Sequence, residues 1–380
     1  MQEASTPSTA PAARRFLAKD GLHDLFAALQ SRGYQVVGPT IDQEAIVYDE
    51  LRSPEDLPRG WTDVQEPGSY RLQRSEEGSQ DNYFDYVVGP YSWKRFLYPP
   101  RLTVSVADLT EQGWQFSEPQ EPTPRYAFLG VRACELHAIQ IQDRVFLNGE
   151  FVDPEYQRRR EEALIIAVNC TRAAPTCFCT SMNTGPKCDA GFDLALTELK
   201  DGFVIESATQ LGEEILAKLT TVPATDERLQ AADAACGQAV AQIQRRLDTE
   251  GVRDLLLSNL DHPRWKQVAE RCLSCTNCTM VCPTCFCASV DEVTDLSAEH
   301  VERRRQWDSC FNPEFSYIHG GNIRDSIPSR YRQWLTHKLG TWIDQFGVSG
   351  CVGCGRCITW CPPGIDLTEE VAAIREEAQP

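Results

Sequence analysis

Apolar and polar positions along the chain follow two textures, short runs over the first half and helical spacing over the second. Gln35–Val37, Ala45–Tyr48, Tyr83–Val88, Arg125–Leu129 and Ala163–Val168 are short apolar or alternating runs separated by Pro and Gly, the pattern of strands. Ahead of them, Leu22, Leu25, Phe26 and Leu29 share one face of a helix that Asp20 would cap and Gly33 would stop. Tyr126–Gly130 followed by Val131–Ile141 reads as a strand, a tight turn and a helix. Beyond Lys200, the residues Leu229, Ala232, Cys236, Val240, Ile243 and Leu247 fall three or four apart, which places Cys236 in a packed seam as a small buried hydrophobe. Further helices are expected at Val252–Leu260, at Pro263–Arg271 and after Asp366, where Glu369 completes a capping box and Leu367, Val371 and Ile374 share one face. The pattern predicts an α+β N-terminal domain followed by a mainly helical C-terminal domain. The expected boundaries are a disordered tail at 1–19, an α+β domain at 20–200, a helical connector at 201–262 and a cysteine-rich domain at 263–380 with an insertion at 288–345.

Charge and composition narrow the class. The 380 residues carry 37 Lys and Arg against 55 Asp and Glu, a formal charge of −18. That balance leaves no broad cationic surface for nucleic acid or anionic membrane. The longest apolar run, Ala163–Val168, is far short of the roughly 20 residues a bilayer span needs, so no membrane insertion is expected. Seventeen cysteines are too many for an ordinary core. Met1–Ala13 is a polar Ser/Thr/Pro/Ala stretch, and Arg14-Arg15 leads into Lys19, Asp20, His23 and Asp24 instead of an apolar signal. A cytoplasmic location is therefore expected, with disulfides the weaker reading and metal or catalysis the stronger one.

An internal repeat carries the chemistry. Cys272-x2-Cys275-x2-Cys278-x3-Cys282-Pro283 recurs as Cys351-x2-Cys354-x2-Cys357-x3-Cys361-Pro362. Three thiolates at this spacing can turn toward one cubane, while the fourth cysteine, followed by proline, reaches the other cluster of a two-cluster ferredoxin. The expected ligands are Cys272, Cys275, Cys278 and Cys361 for the first [4Fe-4S] cluster and Cys351, Cys354, Cys357 and Cys282 for the second. A pair of tetrahedral zinc sites is the competing reading, but zinc sites usually join two separated C-x2-C pairs. A smaller echo is Pro175-Thr-Cys-Phe-Cys179, repeated as Pro283-Thr-Cys-Phe-Cys287. Cys170, Cys177, Cys179 and Cys188 lie close together in sequence, enough thiolates for a third cluster, and Cys134 could replace one of them. Cys285, Cys287 and Cys310 are alternates, or a surrounding shell that tunes potential.

Other chemistries find no support. No G-x-G-x-x-G follows a predicted strand, and there is no Walker loop or H-E-x-x-H. The six histidines show no ligand spacing, and His23 and His137 fall within helices. Arg303-Arg-Arg305 with Arg324, Arg330, Arg332, His337 and Lys338 sits inside the insertion; a solvated helix face is the default reading, and a hold on a negatively charged cluster or an acidic partner is the alternative.

With these motifs in place, the chain resembles the iron–sulfur beta subunits of cytosolic NAD(P)-linked [NiFe] hydrogenases, or sulfhydrogenases, and the related electron-transfer subunit of anaerobic sulfite reductase. The likeness is carried by Gly89-Pro90, Lys94, Phe96, Pro99-Pro100, Gly130-Val-Arg-Ala-Cys134, Cys170, Cys177-Phe-Cys179 and Gly191-Phe-Asp-Leu194. It continues through both four-cysteine runs, Trp307-Asp-Ser-Cys310-Phe311, Gly320-Gly-Asn322, His337-Lys338 and Gly350–Cys357. Where the family usually has aspartate after the Cys134 position this chain has Glu135, and Cys188 is not part of the pattern, which favours Cys134 over Cys188 as a ligand. The resemblance implies an electron relay without a terminal catalytic site of its own. Its partners would be the small and large subunits of the hydrogenase and a flavin/NAD(P)-binding subunit. The equivalent relay in a sulfite reductase is the alternative.

Overall fold

The computed structural model describes residues 14–119 and 123–377; residues 1–13 of the tail expected at 1–19 lie outside them. Fourteen strands build its two main sheets and a hairpin: β1 (Arg15–Ala18), β2 (Gln35–Asp42), β3 (Ala45–Glu50), β4 (Trp61–Glu66), β5 (Ser69–Arg74), β6 (Arg101–Thr110), β7 (Gly113–Ser117), β8 (Tyr126–Val131), β9 (Leu164–Val168), β10 (Leu194–Glu198), β11 (Gly202–Ser207), β12 (Thr221–Pro223), β13 (Ala288–Thr294) and β14 (His300–Trp307).

The large sheet runs β12-β1-β11-β10-β9-β8-β2-β3. Its centre, β2, β8, β9 and β10, is parallel, and the outer strands are antiparallel. Both faces of this centre are covered, which is why β9 reads as an unbroken apolar run. Leu164, Ile166 and Val168 pack with Leu22, Leu25, Phe26 and Leu29 of the helix Leu22–Gln30 on one face. Ile165 and Ala167 meet Leu136, Ile139 and Phe146 of the helix Ala133–Phe146 on the other. A parallel centre sandwiched between helices departs from the expected α+β arrangement, because β8 and β9 are joined through a helix.

Several expectations change. Arg15–Ala18, assigned to the tail, pairs with both β11 and β12, and β12 itself comes from the expected connector. Asp20 lies within a short 3₁₀ turn, Lys19–Gly21, and caps nothing; Gly21 stands at the helix N-cap. Tyr83–Val88 is buried but irregular, because side chains take over its backbone hydrogen bonds. Glu198 accepts from the Tyr83 and Phe84 amides, Asp63 accepts from Val87, and Arg132 donates to the Phe84 and Tyr86 carbonyls. In the expected seam at residues 229–247, Val240 is exposed and Ala239 takes its place in the core, while Cys236 is buried.

The C-terminal part is helical around its cysteine loops but is not helical throughout. The insertion opens with the hairpin β13–β14, and β14 pairs with β6 from the N-terminal half to form the sheet β13-β14-β6-β7. Arg303, Arg304 and Arg305 therefore lie on a strand, paired with Glu292, Glu302 and Asp153, and not on a helix face. Among the described residues no helix is long and apolar enough to cross a membrane.

Candidate iron–sulfur centres

The two four-cysteine runs fold alike. In each, the residue two places after the first cysteine turns left-handed and donates its amide to that cysteine's sulfur: Ser274 to Cys272 and Gly353 to Cys351, both at 3.4 Å. Thr276 and Gly355 are the second left-handed pair, followed by the short helices Asn277–Met280 and Arg356–Thr359. Holding Ser and Thr at positive φ costs on the order of 1 kcal/mol each, a strain that persists where the surroundings fix a functional loop.

These turns bring sulfurs together across the repeat. Cys272, Cys275, Cys278 and Cys361 line one narrow cavity, walled by Leu273, Phe311, Tyr331, Trp334 and Ile365, with Cys357 at its edge. Cys282 lies with the other run: burial raises the pKa of Cys351, Cys354 and Cys357, and the charge of Cys282 raises each further. The Cys351 thiol is pushed up to about 12 despite the opposing pull of Lys338. Such thiols stay protonated until a metal displaces the proton.

A third group forms at the C-terminal ends of the parallel strands, where ligand sites of open α/β sheets lie. Cys134 opens the helix after β8, Cys170 follows β9, and Cys177 and Cys179 come from the loop beyond. All four line one cavity with Arg132, Arg172 and Cys354. Cys188 does not line it; its thiol is buried among Ala195, Phe192 and Leu136 of the sheet's second face. Among the described residues no three His, Cys, Asp or Glu converge on a point that could hold a single metal ion; the cysteines surround space instead.

The second run docks on the N-terminal half through buried polar contacts. Glu135 accepts from Tyr48 at 2.8 Å, the Trp93 indole at 3.0 Å, and the Arg132 amide, and it pairs with Arg356. Arg356 also donates to the Gly89 and Tyr91 carbonyls, and both members of the pair are fully buried. Thr359 bonds Gln65 and Thr176, while Gly68 in the β4–β5 turn donates to Ile358. Sequence reading found the cysteines but missed Glu135 and Arg356 as a pair, since nothing in one chain shows that residues 221 apart meet.

A last cavity, of about 400 Å³, is lined by Cys285, Cys287 and Cys310 together with Arg324, His337, Lys338 and the rings of Phe286, Trp334 and Trp342. Lys338 is buried and donates to the Cys282 sulfur at 3.3 Å, to Thr284 and to the Gly350 carbonyl, so the solvated-face reading fails for it. It sits in a π-helical turn, His337–Thr341, a distortion that often marks functional positions. Lys94, also buried, donates to the Cys285 carbonyl and lies 3.8 Å from the Trp307 ring centre. Burial holds its pKa down to about 8.

Comparison with known proteins agrees with this cysteine chemistry. A model for a 4Fe-4S dicluster domain matches residues 271–365. Over 255 residues the chain is 34% identical to sulfhydrogenase 2 subunit beta of Pyrococcus furiosus, covering 66% of this chain and 75% of that one. No solved structure matches.

Proposed function

The chain belongs to the family of iron–sulfur beta subunits of sulfhydrogenases, and from that premise we propose that it relays single electrons between the small and large subunits of a hydrogenase and a flavin/NAD(P)-binding subunit. The observation that carries the reading is that the second cysteine run lends a cysteine to the wall of each of two cysteine cavities. Cys357 of the second run edges the first cavity, and Cys354 of the same run lines the third. A second group thus stands between two others, the layout a through-path needs.

On this reading Cys272, Cys275, Cys278 and Cys361 hold one [4Fe-4S] cluster, and Cys351, Cys354, Cys357 and Cys282 hold another. Cys134, Cys170, Cys177 and Cys179 hold a third. The bound clusters supply one-electron storage, at potentials set by charge, hydrogen bonds to sulfur and exposure. The chain's own groups do the rest. Thiolates hold the irons, the Ser274 and Gly353 amides donate to sulfur, and Phe311, Tyr331 and Trp334 wall the inner side of the first site. Cys275 is exposed, so electrons reach the surface at this end.

In the anaerobically purified complex, Cys275→Ser is expected to remove about four irons per chain relative to the parent. It should also stop hydrogen-driven NAD(P) reduction while leaving hydrogen-driven dye reduction at the hydrogenase subunits. Cys177→Ser tests the third site in the same way. NAD(P) reduction that continues after the iron is lost would refute the relay. The named relative favours hydrogenase partners over a sulfite reductase.

A further inference from the structure

We propose that Cys285, Cys287 and Cys310 hold a fourth iron–sulfur centre, one of whose irons has no cysteine ligand and faces the 400 Å³ cavity, open to a small anion. The inference rests on reading the chain as an iron–sulfur protein and goes beyond its relay clusters.

The repeated pentapeptide stands at two of the cavities. The first copy, Pro175–Cys179, places Cys177 and Cys179 on the third cavity. The second, Pro283–Cys287, places Cys285 and Cys287 on this one. The threonine of each copy is fully buried and bonded to the second cysteine run, Thr176 to Thr359 and Thr284 to the Gly350 carbonyl. Each copy therefore places two thiols on the wall of a cavity, and in the second copy Cys285 also hydrogen-bonds to Cys282 and Cys287 to Cys310. What differs is completion. Cys134 and Cys170 finish the first set, whereas Cys310 alone joins the second. No fourth thiol lines this cavity, whose polar wall carries Arg324, Gln333, His337 and Lys338.

Three thiolates match three corners of a cubane and leave the fourth iron to an exogenous ligand. The cations decide the class of that ligand. Arg324 and Lys338 line the cavity, and buried Lys94 lies against the Cys285 carbonyl, so an anion is favoured over a neutral molecule. The cysteine inventory closes on this assignment. Eight cysteines belong to the two repeated runs, four to the third group and three here, which leaves Cys188, buried in apolar packing, and Cys236, also buried, of the seventeen.

The experiment uses the full chain, purified anaerobically. A Cys287→Ser, Cys310→Ser double variant is expected to carry about four irons fewer than the parent, with the other EPR signals unchanged. In the parent, cyanide is expected to shift the EPR signal of one reduced cluster, and mild ferricyanide oxidation to release its unique iron and give a three-iron signal. Both responses should be missing from the double variant. Equal iron in parent and variant overturns the proposal. If the variant fails to fold, the parent decides: a cyanide-insensitive spectrum with no three-iron signal overturns it. A parent that binds zinc and no iron would refute the relay reading itself, whereas an iron-loaded parent without the cyanide response refutes only the fourth centre.

Discussion

Two buried cations, Arg356 and Lys338, each bond to groups far away in sequence, and each makes a testable difference. Arg356 is fully buried and its charge is answered by Glu135, which also accepts from Tyr48 and Trp93. Glu135→Gln keeps the size of the side chain but leaves Arg356 an uncompensated charge in the interior. Breaking a buried pair in this way costs about 3–5 kcal/mol, read as a lowered midpoint in denaturant unfolding of the loaded chain. Lys338 acts on a sulfur instead. Its ammonium donates to Cys282 at 3.3 Å, and a cation beside a cluster favours the reduced, more negative state. Lys338→Met removes a charge-assisted bond of about 1.5 kcal/mol, so the potential of the cluster that Cys282 serves is expected to fall by roughly 60 mV. An EPR-monitored redox titration reads that shift, and an unchanged potential would mean that Lys338 only packs.

The cysteine loops show why glycine appears in one copy of the repeat and not in the other. Ser274 and Gly353 share the same left-handed turn, so conformation alone does not require glycine. The neighbours do: a Cβ on Gly353 would stand 2.6 Å from the Phe178 carbonyl oxygen and 2.7 Å from the Cys179 amide nitrogen. Ser274→Gly is therefore expected to leave iron content unchanged, whereas Gly353→Ser should destabilise the chain by about 1–3 kcal/mol and lower its iron content. Thermal unfolding with iron analysis distinguishes them. At this scale the sequence was legible wherever periodicity or spacing was local. The strands β8 and β9, the helices Leu22–Gln30 and Arg264–Arg271, and the spacing of the eight repeated cysteines are all local signals. Tyr83–Val88 misled because an apolar run reports burial, and here the hydrogen bonds of a buried segment go to Glu198, Asp63 and Arg132 in place of a neighbouring strand. The pairing of β14 with β6 and the meeting of Lys94 with Cys285 were hidden for another reason: both join segments about 200 residues apart.

Over the whole molecule, the N-terminal half and the cysteine-rich half are one construction. The turn at Gly68, the Gly89 and Tyr91 carbonyls, Glu135 and the 176–179 loop all grip the second cysteine run. The sheet β13-β14-β6-β7 ties the insertion back to the first half. A chain stopped before Cys351 keeps Cys272, Cys275, Cys278 and Cys282 together, yet it is expected to hold neither ferredoxin-type cluster, as iron analysis of the truncated protein would show. The crossing of the two runs also bears on how the molecule is made. A ribosome extends the chain at about 5–20 residues per second and releases its N-terminal elements first. The first cavity is not closed until Cys361 has emerged, so loading of that site must wait for the second cysteine run to follow the first out of the ribosome, and a cell that delivers iron only to closed sites loses none at this site on chains abandoned between the two runs.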